Sequence, residues 1–222
     1  MVGSFQPIID QAAASKGGLA ALEEILPKPA LPKDLAAIPD HRWLSMMTKR
    51  VFQSGFVWSV VEAKWDGFET AFEGFEPLRL AMYADEELDR LIGNAGIIRN
   101  GMKIRSAIEN PRFLVDLMDE YGAAGAFFAN WPDGDYIGLL DLMKKRGNRL
   151  GGNTGQYVLR SMGKPAFVLS KDVTAALIRA GVVDKAPTSK KAIAAVQGAF
   201  NQWSREIGRD LSGLSRILAA SV

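Results

Sequence analysis

The chain has 222 residues, of which 48% are hydrophobic and 23% charged, and its formal net charge is +2. These values are typical of one large or two small globular domains, and they exclude a polybasic arm. The lack of cysteine excludes disulfides, thiol nucleophiles and thiolate metal sites. With His41 as the one histidine, a histidine-rich zinc centre is also excluded, and Ser–His catalysis has a single possible base.

We expect neither a signal peptide nor a membrane-spanning segment in this sequence. The N-terminus lacks the basic-then-apolar pattern of a signal peptide. No apolar run approaches the roughly 20 residues that a membrane-spanning helix needs. We therefore expect a cytoplasmic protein.

The first 36 residues differ in pattern from the rest of the chain. An alanine-rich amphipathic segment runs from Ile8 to Leu26 and is interrupted at Gly17 and Gly18. The proline-rich residues 27–32 cannot be helical throughout, because proline lacks the amide hydrogen that a helix interior uses. We predict an N-terminal helix and linker over residues 1–36 and a compact body over residues 37–222.

Helical patterns dominate the predicted body. A long apolar-periodic segment covers Arg42 to Lys64. Alternating β-branched runs bounded by turn residues, which would indicate strands, do not occur. The sequence therefore predicts an all-α protein of roughly ten helices. The later predicted helices cover residues 78–82, 85–92, 103–109, 111–121, 136–146, 154–162, 171–180, 189–207 and 211–220.

The segment from Lys144 to Tyr157 carries the strongest functional signal. It contains a cationic helix end, a glycine-rich turn and the start of a second helix. Glycine lets the backbone approach an anion closely, and the free N–H groups of a helix start point outward. This arrangement favours phosphate binding, although an ordinary turn between two helices with solvated charges has the same local pattern.

Two further segments accompany this turn. Residues 91–105 combine a glycine turn with Arg99 and Lys103, whose common alternative role is a solvated helix face. Residues 52–65 are rich in aromatic side chains, and a helix would place Trp58 and Glu62 on one face. Packing in the core is the ordinary alternative for the tryptophan.

Together these segments resemble the DNA-3-methyladenine glycosylase I family, within the helix-hairpin-helix glycosylase superfamily. The resemblance rests on residues 53–58, 68–75, 95–104 and 144–157, which follow the family's order and spacing. It implies an all-α fold with two helical halves around a central cleft. It further implies a monofunctional base-excision repair enzyme that flips an alkylated purine such as 3-methyladenine out of duplex DNA and hydrolyses its N-glycosidic bond.

The resemblance also assigns roles to residues. Trp58 matches the family's pocket tryptophan, and an indole face attracts a cationic methylated purine by about 0.5–2 kcal/mol. The predicted base pocket consists of Trp58, Gln53, Arg50 and Phe52. The predicted DNA-binding residues are Gly151, Gly152, Asn153, Thr154, Gly155, Lys144, Lys145, Arg146, Arg99 and Lys103.

The chain departs from the family in two ligand-binding features. The family joins its ends through a zinc ion held by cysteine and histidine, and without cysteine this staple is absent. The longer segment 164–222 is a candidate replacement. We expect no cofactor, although the hairpin carbonyls suit a monovalent cation. The family's pocket glutamate aligns with Arg50, which would repel a cationic base unless it is ion-paired or points elsewhere.

The catalytic carboxylate is predicted with two alternatives. Alignment on Gly163 and Pro165 places Ser170 at the superfamily's catalytic aspartate and Asp172 two residues later. Asp172 would stabilise an oxocarbenium-like sugar or activate water; alternatively, it only caps a helix or lies in its first turn after Ser170. The other candidate is Glu62, for which a surface or paired role is the alternative.

The predicted function therefore has competitors. A non-catalytic protein that binds DNA lesions or DNA structures with the same fold is the first alternative, motivated by Arg50. A helical domain that binds a small molecule or protein partner is the second, since the net charge is low. For the favoured interpretation, the partner is duplex DNA with damaged bases, no membrane is involved, and a monomer is expected.

Overall fold

A computed structural model describes residues 2–222, and all regular elements in that range are helical. This confirms the predicted all-α class. Two short 3₁₀ turns, Glu73–Phe75 and Asp133–Asp135, accompany the α-helices. The helices are α1 (Gln6–Lys16), α2 (Leu19–Glu24), α3 (Pro32–Ala36), α4 (Asp40–Gln53), α5 (Trp58–Ala63), α6 (Trp65–Ala71), α7 (Pro77–Leu80), α8 (Asp85–Gly93), α9 (Gly101–Tyr121), α10 (Ala124–Asn130), α11 (Tyr136–Arg146), α12 (Asn153–Met162), α13 (Lys171–Arg179), α14 (Lys190–Ile207) and α15 (Leu211–Ala220).

The chain divides into two compact units. The first unit comprises the chain up to Ala30 together with Pro132–Leu139 and Gly163–Val222. The second comprises Leu31–Trp131 and Leu140–Met162. This division differs from the predicted boundary between residues 36 and 37, because the N-terminal helices belong with the C-terminal ones.

The core of the first unit explains this grouping. Phe5, just before α1, is fully buried, and its ring lies 5.0 Å from that of Trp203 in α14. The hydroxyl of Ser15 in α1 donates to the carbonyl of Ala220 in α15 at 2.5 Å. Burial of large aromatic surface is the main stabilising term in such contacts, so α1 is part of this core.

The second unit is built on α4, which packs against α9 and α12. Beside α4 lies an aromatic cluster in which the ring centre of Trp65 is 5.0 Å from that of Phe68 and 5.7 Å from that of Phe75. Glu69 ties this cluster to α4, since its carboxylate accepts from the Trp65 indole N–H at 2.9 Å and from the Ser45 hydroxyl at 2.7 Å. These contacts fix α4, which carries much of the candidate site.

Two predicted helices have different limits in the structure. The segment from Arg42 to Lys64 is not one helix, because the chain leaves α4 after Gln53 and passes through Gly55 at φ +76° before α5 begins. Conversely, the two helices predicted on either side of Asn110 are the single helix α9, with Pro111 inside it. Buried apolar residues on both sides of Pro111 compensate for the hydrogen bond that proline removes.

None of the helices described over residues 2–222 combines the length and apolarity required to cross a bilayer.

Candidate nucleic-acid interface

The hairpin between α11 and α12 is held by a buried asparagine. Asn110 in α9 is 1% exposed. Its side-chain oxygen accepts from the main-chain N–H of Asn148 at 2.7 Å, and its amide donates to the Asn148 carbonyl at 3.1 Å. The side chain of Asn148 in turn donates to Glu109. The loop over residues 147–152 is therefore fixed to α9 by the protein's own hydrogen bonds.

The backbone of the hairpin makes two demands on its residues. Arg149 and Gly152 adopt the left-handed conformation, at φ +59° and +58°. Gly155, in the first turn of α12, is buried against the loop, and a Cβ there would lie 2.5 Å from the carbonyl oxygen of Leu150. Gly155 is thus predicted to act through packing, while Asn153 and Thr154 stand at the start of the helix.

The predicted cations of the hairpin have unequal surroundings. Lys144 and Lys145 are exposed, as is Arg99. Arg146 is paired with Glu120 at 2.7 Å and with Asp116 at 3.3 Å, and hydrogen bonding to Glu120 raises the pKa of its guanidinium. Arg146 is thus already paired within the protein, and its predicted contact with phosphate stays a prediction.

Lys103 is likewise engaged by groups of the protein itself. The residue is 5% exposed, and its ammonium donates to the carbonyls of Phe52 at 2.9 Å and Ser54 at 2.5 Å. Burial, together with the nearby charge of Arg149, lowers the pKa of Lys103. Lys103 therefore stabilises the chain where it leaves α4 rather than offering an exposed charge to DNA.

A cavity of about 210 Å³ lies between α4, the start of α5 and α12, within the second unit. That is about seven times the volume one water molecule occupies in the liquid, which is room for a purine base. Trp58 is 45% exposed, and its ring centre is 5.3 Å from that of Tyr157 in an edge-to-face arrangement. The lining residues are Arg50, Gln53, Ser54, Gly55, Trp58, Asn153, Thr154 and Tyr157.

Arg50 is the charged group of this cavity. Its guanidinium carbon lies 4.8 Å from the ring centre of Trp58. Its Nη1 donates to the side-chain oxygen of Gln53 at 2.7 Å and its Nη2 to the hydroxyl of Ser161 at 2.6 Å, while its Nε is buried without a partner. Burial lowers the pKa of Arg50, an effect that Glu62 and Tyr157 oppose, yet arginine remains protonated at neutral pH.

Glu62 takes part in the same network from outside the cavity. It accepts from the Gln53 amide at 2.8 Å and from the Lys49 ammonium at 3.0 Å. The carboxylate therefore compensates the charge of Arg50 through Gln53, which is 2% exposed. Glu62 therefore has the paired role that the sequence left open. The same contacts explain how the charge of Arg50 is accommodated.

Sequence reasoning mislocated one pocket residue and missed others. Phe52 is fully buried and packs on Phe68 with ring centres 4.6 Å apart, so it belongs to the core and not to the pocket wall. Tyr157 and Ser161, which were missed, stand four and eight residues after Asn153. Their spacing of four residues from Asn153 could have indicated them, because positions i, i+4 and i+8 lie on nearly the same face of a helix.

A second cavity of about 340 Å³ adjoins the hairpin in the same unit. It shares Ser54 and Thr154 with the first cavity, and Arg149 lines it with an exposed side chain. Arg149 was absent from the predicted DNA-binding set, although it lies inside the hairpin motif. The full lining is Val51, Ser54, Lys103, Arg149, Gly151 and Thr154.

Asp172 belongs to the first unit, at the start of α13. The hydroxyl of Ser170 caps this helix by accepting from the N–H of Val173 at 3.2 Å. Asp172 is exposed and lies in the first turn. The alternative in which Ser170 is the cap is confirmed, while a catalytic role for Asp172 stays a prediction.

The side chains do not fit the zinc site of the resembled family. Cysteine is absent from the sequence, and it contains one histidine. Among residues 2–222, no group of three or more His, Asp or Glu side chains is arranged to hold a metal ion. We therefore assign no step to a metal.

Comparison by sequence matches part of the chain to one family. Residues 36–139 match the methyladenine glycosylase family, a range that includes Arg50 and Trp58 and ends before the hairpin. The curated DNA-3-methyladenine glycosylase 1 of Escherichia coli strain K12 is 37% identical over 60 residues, which is 27% of this chain and 32% of that protein. The matched stretch thus spans about a third of that relative.

Comparison by structure gives the fold. A crystal structure of 3-methyladenine DNA glycosylase I matches with a TM-score of 0.50 at 23% identity, covering 65% of this chain and 87% of that one. The Staphylococcus aureus 3-methyladenine DNA glycosylase I matches with a TM-score of 0.52 at 17% identity, covering 70% of this chain and 91% of that one. The 8-oxoguanine DNA glycosylase of Methanocaldococcus jannaschii matches with a TM-score of 0.59 at 12% identity, covering 95% of this chain and 91% of that one. The helix-hairpin-helix glycosylase fold is thereby confirmed.

Proposed function

We propose that this chain, in which residues 36–139 match the methyladenine glycosylase family, is a base-excision repair glycosylase. Its reaction is hydrolysis of the N-glycosidic bond of an alkylated purine, with 3-methyladenine as the first substrate to test. The observation that carries the proposal is the half-exposed Trp58 in a purine-sized cavity one helical turn from the hairpin.

The hairpin supplies the grip on DNA. Thr154 and Gly151 line the cavity beside the loop, and Arg149 adds an exposed guanidinium there. Lys144 and Lys145 provide further exposed charge on the end of α11. Helix starts and cations both favour phosphate oxygens, and phosphate contacts dominate affinity for DNA.

The pocket receives the flipped base. Flipping costs a few kcal/mol in lost stacking and pairing, least where pairing is already weakened by damage. Stacking on Trp58 and edge contact with Tyr157 offset that cost. Since 3-methyladenine is a cation while it is attached to the sugar, it is already a good leaving group. The protein then mainly orients the nucleotide and stabilises positive charge developing on the sugar.

The carboxylate of the reaction remains a choice between two residues. Asp172 is exposed at the start of α13, and Glu62 is already bound by Lys49 and Gln53. Because Lys49 and Gln53 already engage Glu62, Asp172 is the first of the two candidates to test. We further propose that the protein acts as a cytoplasmic monomer on duplex DNA, without a cofactor and with at most a monovalent cation at the hairpin.

Release of free base from methylated duplex DNA tests the proposal. Chromatography should identify 3-methyladenine in reactions of the native protein. Trp58→Ala should lower kcat/KM by about 2- to 30-fold, the equivalent of one cation–π contact. Tyr121→Ala, which removes a half-exposed ring from the end of α9, should leave it unchanged.

The two carboxylates are separated in the same assay. Loss of release in Asp172→Asn with DNA affinity retained would assign the role to Asp172, whereas loss confined to Glu62→Gln would assign it to Glu62. If the native protein releases no base but binds DNA in a salt-sensitive manner, the chain is a lesion-binding protein instead of an enzyme.

A further inference from the structure

Arg50 gives the candidate pocket a permanent positive charge at the place where a base would stack. The guanidinium and the indole of Trp58 line the same cavity, with the guanidinium carbon 4.8 Å from the ring centre. A base that enters the cavity must therefore meet both groups. The indole prefers a flat or cationic partner, whereas the guanidinium prefers a hydrogen-bond acceptor or an anion.

The guanidinium is positioned rather than mobile. Gln53 and Ser161 each accept one of its N–H groups, and Ser161 is itself anchored by donating to the Tyr157 carbonyl at 2.6 Å. Its Nε–H is buried without an acceptor. A buried donor without a partner is costly, and a ligand acceptor is one way to satisfy it.

The movement of charge during hydrolysis decides what Arg50 does. The bond between C1′ and the base nitrogen breaks, and its electron pair goes to the base. The oxygen of water bonds to C1′, and one water proton leaves to solvent or a carboxylate. A neutral purine takes up a proton as it leaves, whereas a cationic methylpurine leaves as the neutral base without one. Electron density on the base therefore always rises as the bond breaks, and an adjacent cation stabilises that change.

The benefit differs between two classes of base. A cationic methylpurine becomes neutral on leaving, so a nearby guanidinium weakens its binding and only relieves repulsion as the bond breaks. A neutral purine leaves as a developing anion and is otherwise a poor leaving group. For that class, a charge-assisted hydrogen bond to the departing base supplies what the base itself lacks.

Resting on the proposed glycosylase function, we infer that Arg50 extends the substrate class to neutral purine lesions that present a carbonyl oxygen or ring-nitrogen acceptor to its guanidinium. Arginine is well suited to such an edge, since it pairs in bidentate fashion with the O6 and N7 atoms of a purine. Hypoxanthine has both acceptors and is neutral, so it is the simplest probe.

The experiment compares single-turnover release from two duplexes. One contains a single deoxyinosine, and the other carries 3-methyladenine introduced by methylation. The native protein should release both bases. Arg50→Gln should lose about 10- to 100-fold in the rate of hypoxanthine release, the value of a hydrogen bond from a charged donor. Its release of 3-methyladenine should change by less than about threefold, and the KM for that substrate should fall.

The ratio of the two rates is the decisive quantity, because any unfolded fraction of a variant affects both rates equally. Arg50→Lys keeps the charge without the planar fork and should give a ratio between those of the native protein and Arg50→Gln. Arg112→Gln removes an exposed charge from α9 in the same unit and should leave the ratio unchanged.

Three results would overturn the inference. Release of 3-methyladenine but not of hypoxanthine by the native protein would refute it and leave the glycosylase proposal intact. Equal losses on both duplexes in Arg50→Gln would reduce Arg50 to a support of the pocket wall. Release of neither base by the native protein would refute both proposals together.

Discussion

The side chain of Asn110 and the main chain of Asn148 form a reciprocal pair of hydrogen bonds, at 2.7 and 3.1 Å. Through this pair, a residue in the middle of α9 fixes a loop 38 positions away in sequence. Since Asn110 is buried and holds the main chain of Asn148 from both sides, the loop is ordered without DNA. Preorganisation of this kind lowers the entropic cost of binding.

We expect Asn110→Ala to lower the free energy of unfolding by about 1–3 kcal/mol, because it leaves the part-buried main-chain N–H and carbonyl of Asn148 without their partner. It should also weaken DNA binding beyond its effect on folding. Denaturant unfolding and DNA titration at a fixed salt concentration measure the two effects. Asn130→Ala, at an exposed position at the end of α10, is the matched control. Equal effects of the two substitutions would contradict the role of Asn110.

A methyl group at position 155 should be poorly tolerated. In Gly155→Ala the new Cβ would lie 2.5 Å from the Leu150 carbonyl oxygen, so α12 or the loop must move. We expect a loss of about 1–3 kcal/mol, as for other overpacked sites. Gly198→Ala has no neighbour within 4 Å inside α14 and should instead gain up to about 1 kcal/mol from helix propensity. Thermal unfolding of both variants tests this difference. A loss of stability in both variants, or a gain in both, would contradict the prediction.

Lys103 should matter for stability although it is charged. Lys103→Met preserves the length of the side chain but removes the donor to the carbonyls of Phe52 and Ser54. We expect a decrease of about 1.5–3 kcal/mol in the free energy of unfolding. The exposed Lys145→Met should change it by less than about 0.5 kcal/mol. A value for Lys103→Met as small as the control's would show that water replaces the ammonium at both carbonyls.

The exposed lysines of α11 should set the salt dependence of DNA binding. Replacing both Lys144 and Lys145 with alanine should reduce the slope of log K against log salt by about 1–2, since each phosphate contact contributes about 0.9. Replacing Lys190 and Lys191, which are equally exposed at the start of α14, removes the same charge elsewhere and is the control. An unchanged slope in the first variant would place the DNA on another surface.

Glu69 should make the second unit sensitive to acid. Burial acts to raise the pKa of Glu69, but hydrogen bonds from Ser45, Arg42 and Trp65 outweigh it, and the net pKa is lowered. A carboxyl group with a depressed pKa in the folded state stabilises that state above its unfolded pKa of about 4.3, and the contribution is lost as the pH falls through the folded pKa. Glu69→Gln should therefore be less stable than the native protein at pH 7, and the difference should disappear as the pH falls through the lowered pKa of Glu69. Unfolding at pH 7 and at a series of acidic pH values tests this, and a difference that persists at the lowest pH would contradict it.

The sequence predicted the fold class and the central residue of the pocket, because both depend on local signals. A few consecutive residues are enough to show the helical periodicity, the glycine-rich turn and Trp58 shortly after Gly55. Distant partners are not: the glutamate and aspartate that neutralise Arg146 lie 26 and 30 positions away, and only packing brings them together. The same limit applies to Lys103, whose burial follows from the path of the chain after α4.

Position 50 illustrates a different limit. A single-residue comparison with the resembled family shows a reversal of charge, but not its compensation. That compensation depends on Gln53 and Glu62, which follow in sequence, and on Ser161, which is 111 positions away. Replacement of one charged residue in a pocket is thus interpretable only with the neighbours that satisfy its hydrogen bonds.

Helix α12 begins at the hairpin with Asn153 and presents Tyr157 and Ser161 along the pocket side, one and two turns further on. The distance between the backbone contact and the base wall is therefore set by helix pitch, about 5.4 Å per turn. A helix of fixed pitch would therefore select nucleotides by the distance between base and phosphate as well as by the chemistry of the base. One residue inserted between Thr154 and Tyr157 would rotate Tyr157 and Ser161 by about 100° around the helix axis and leave the hairpin in place. The protein would then still bind the DNA backbone but would no longer place the base against Tyr157.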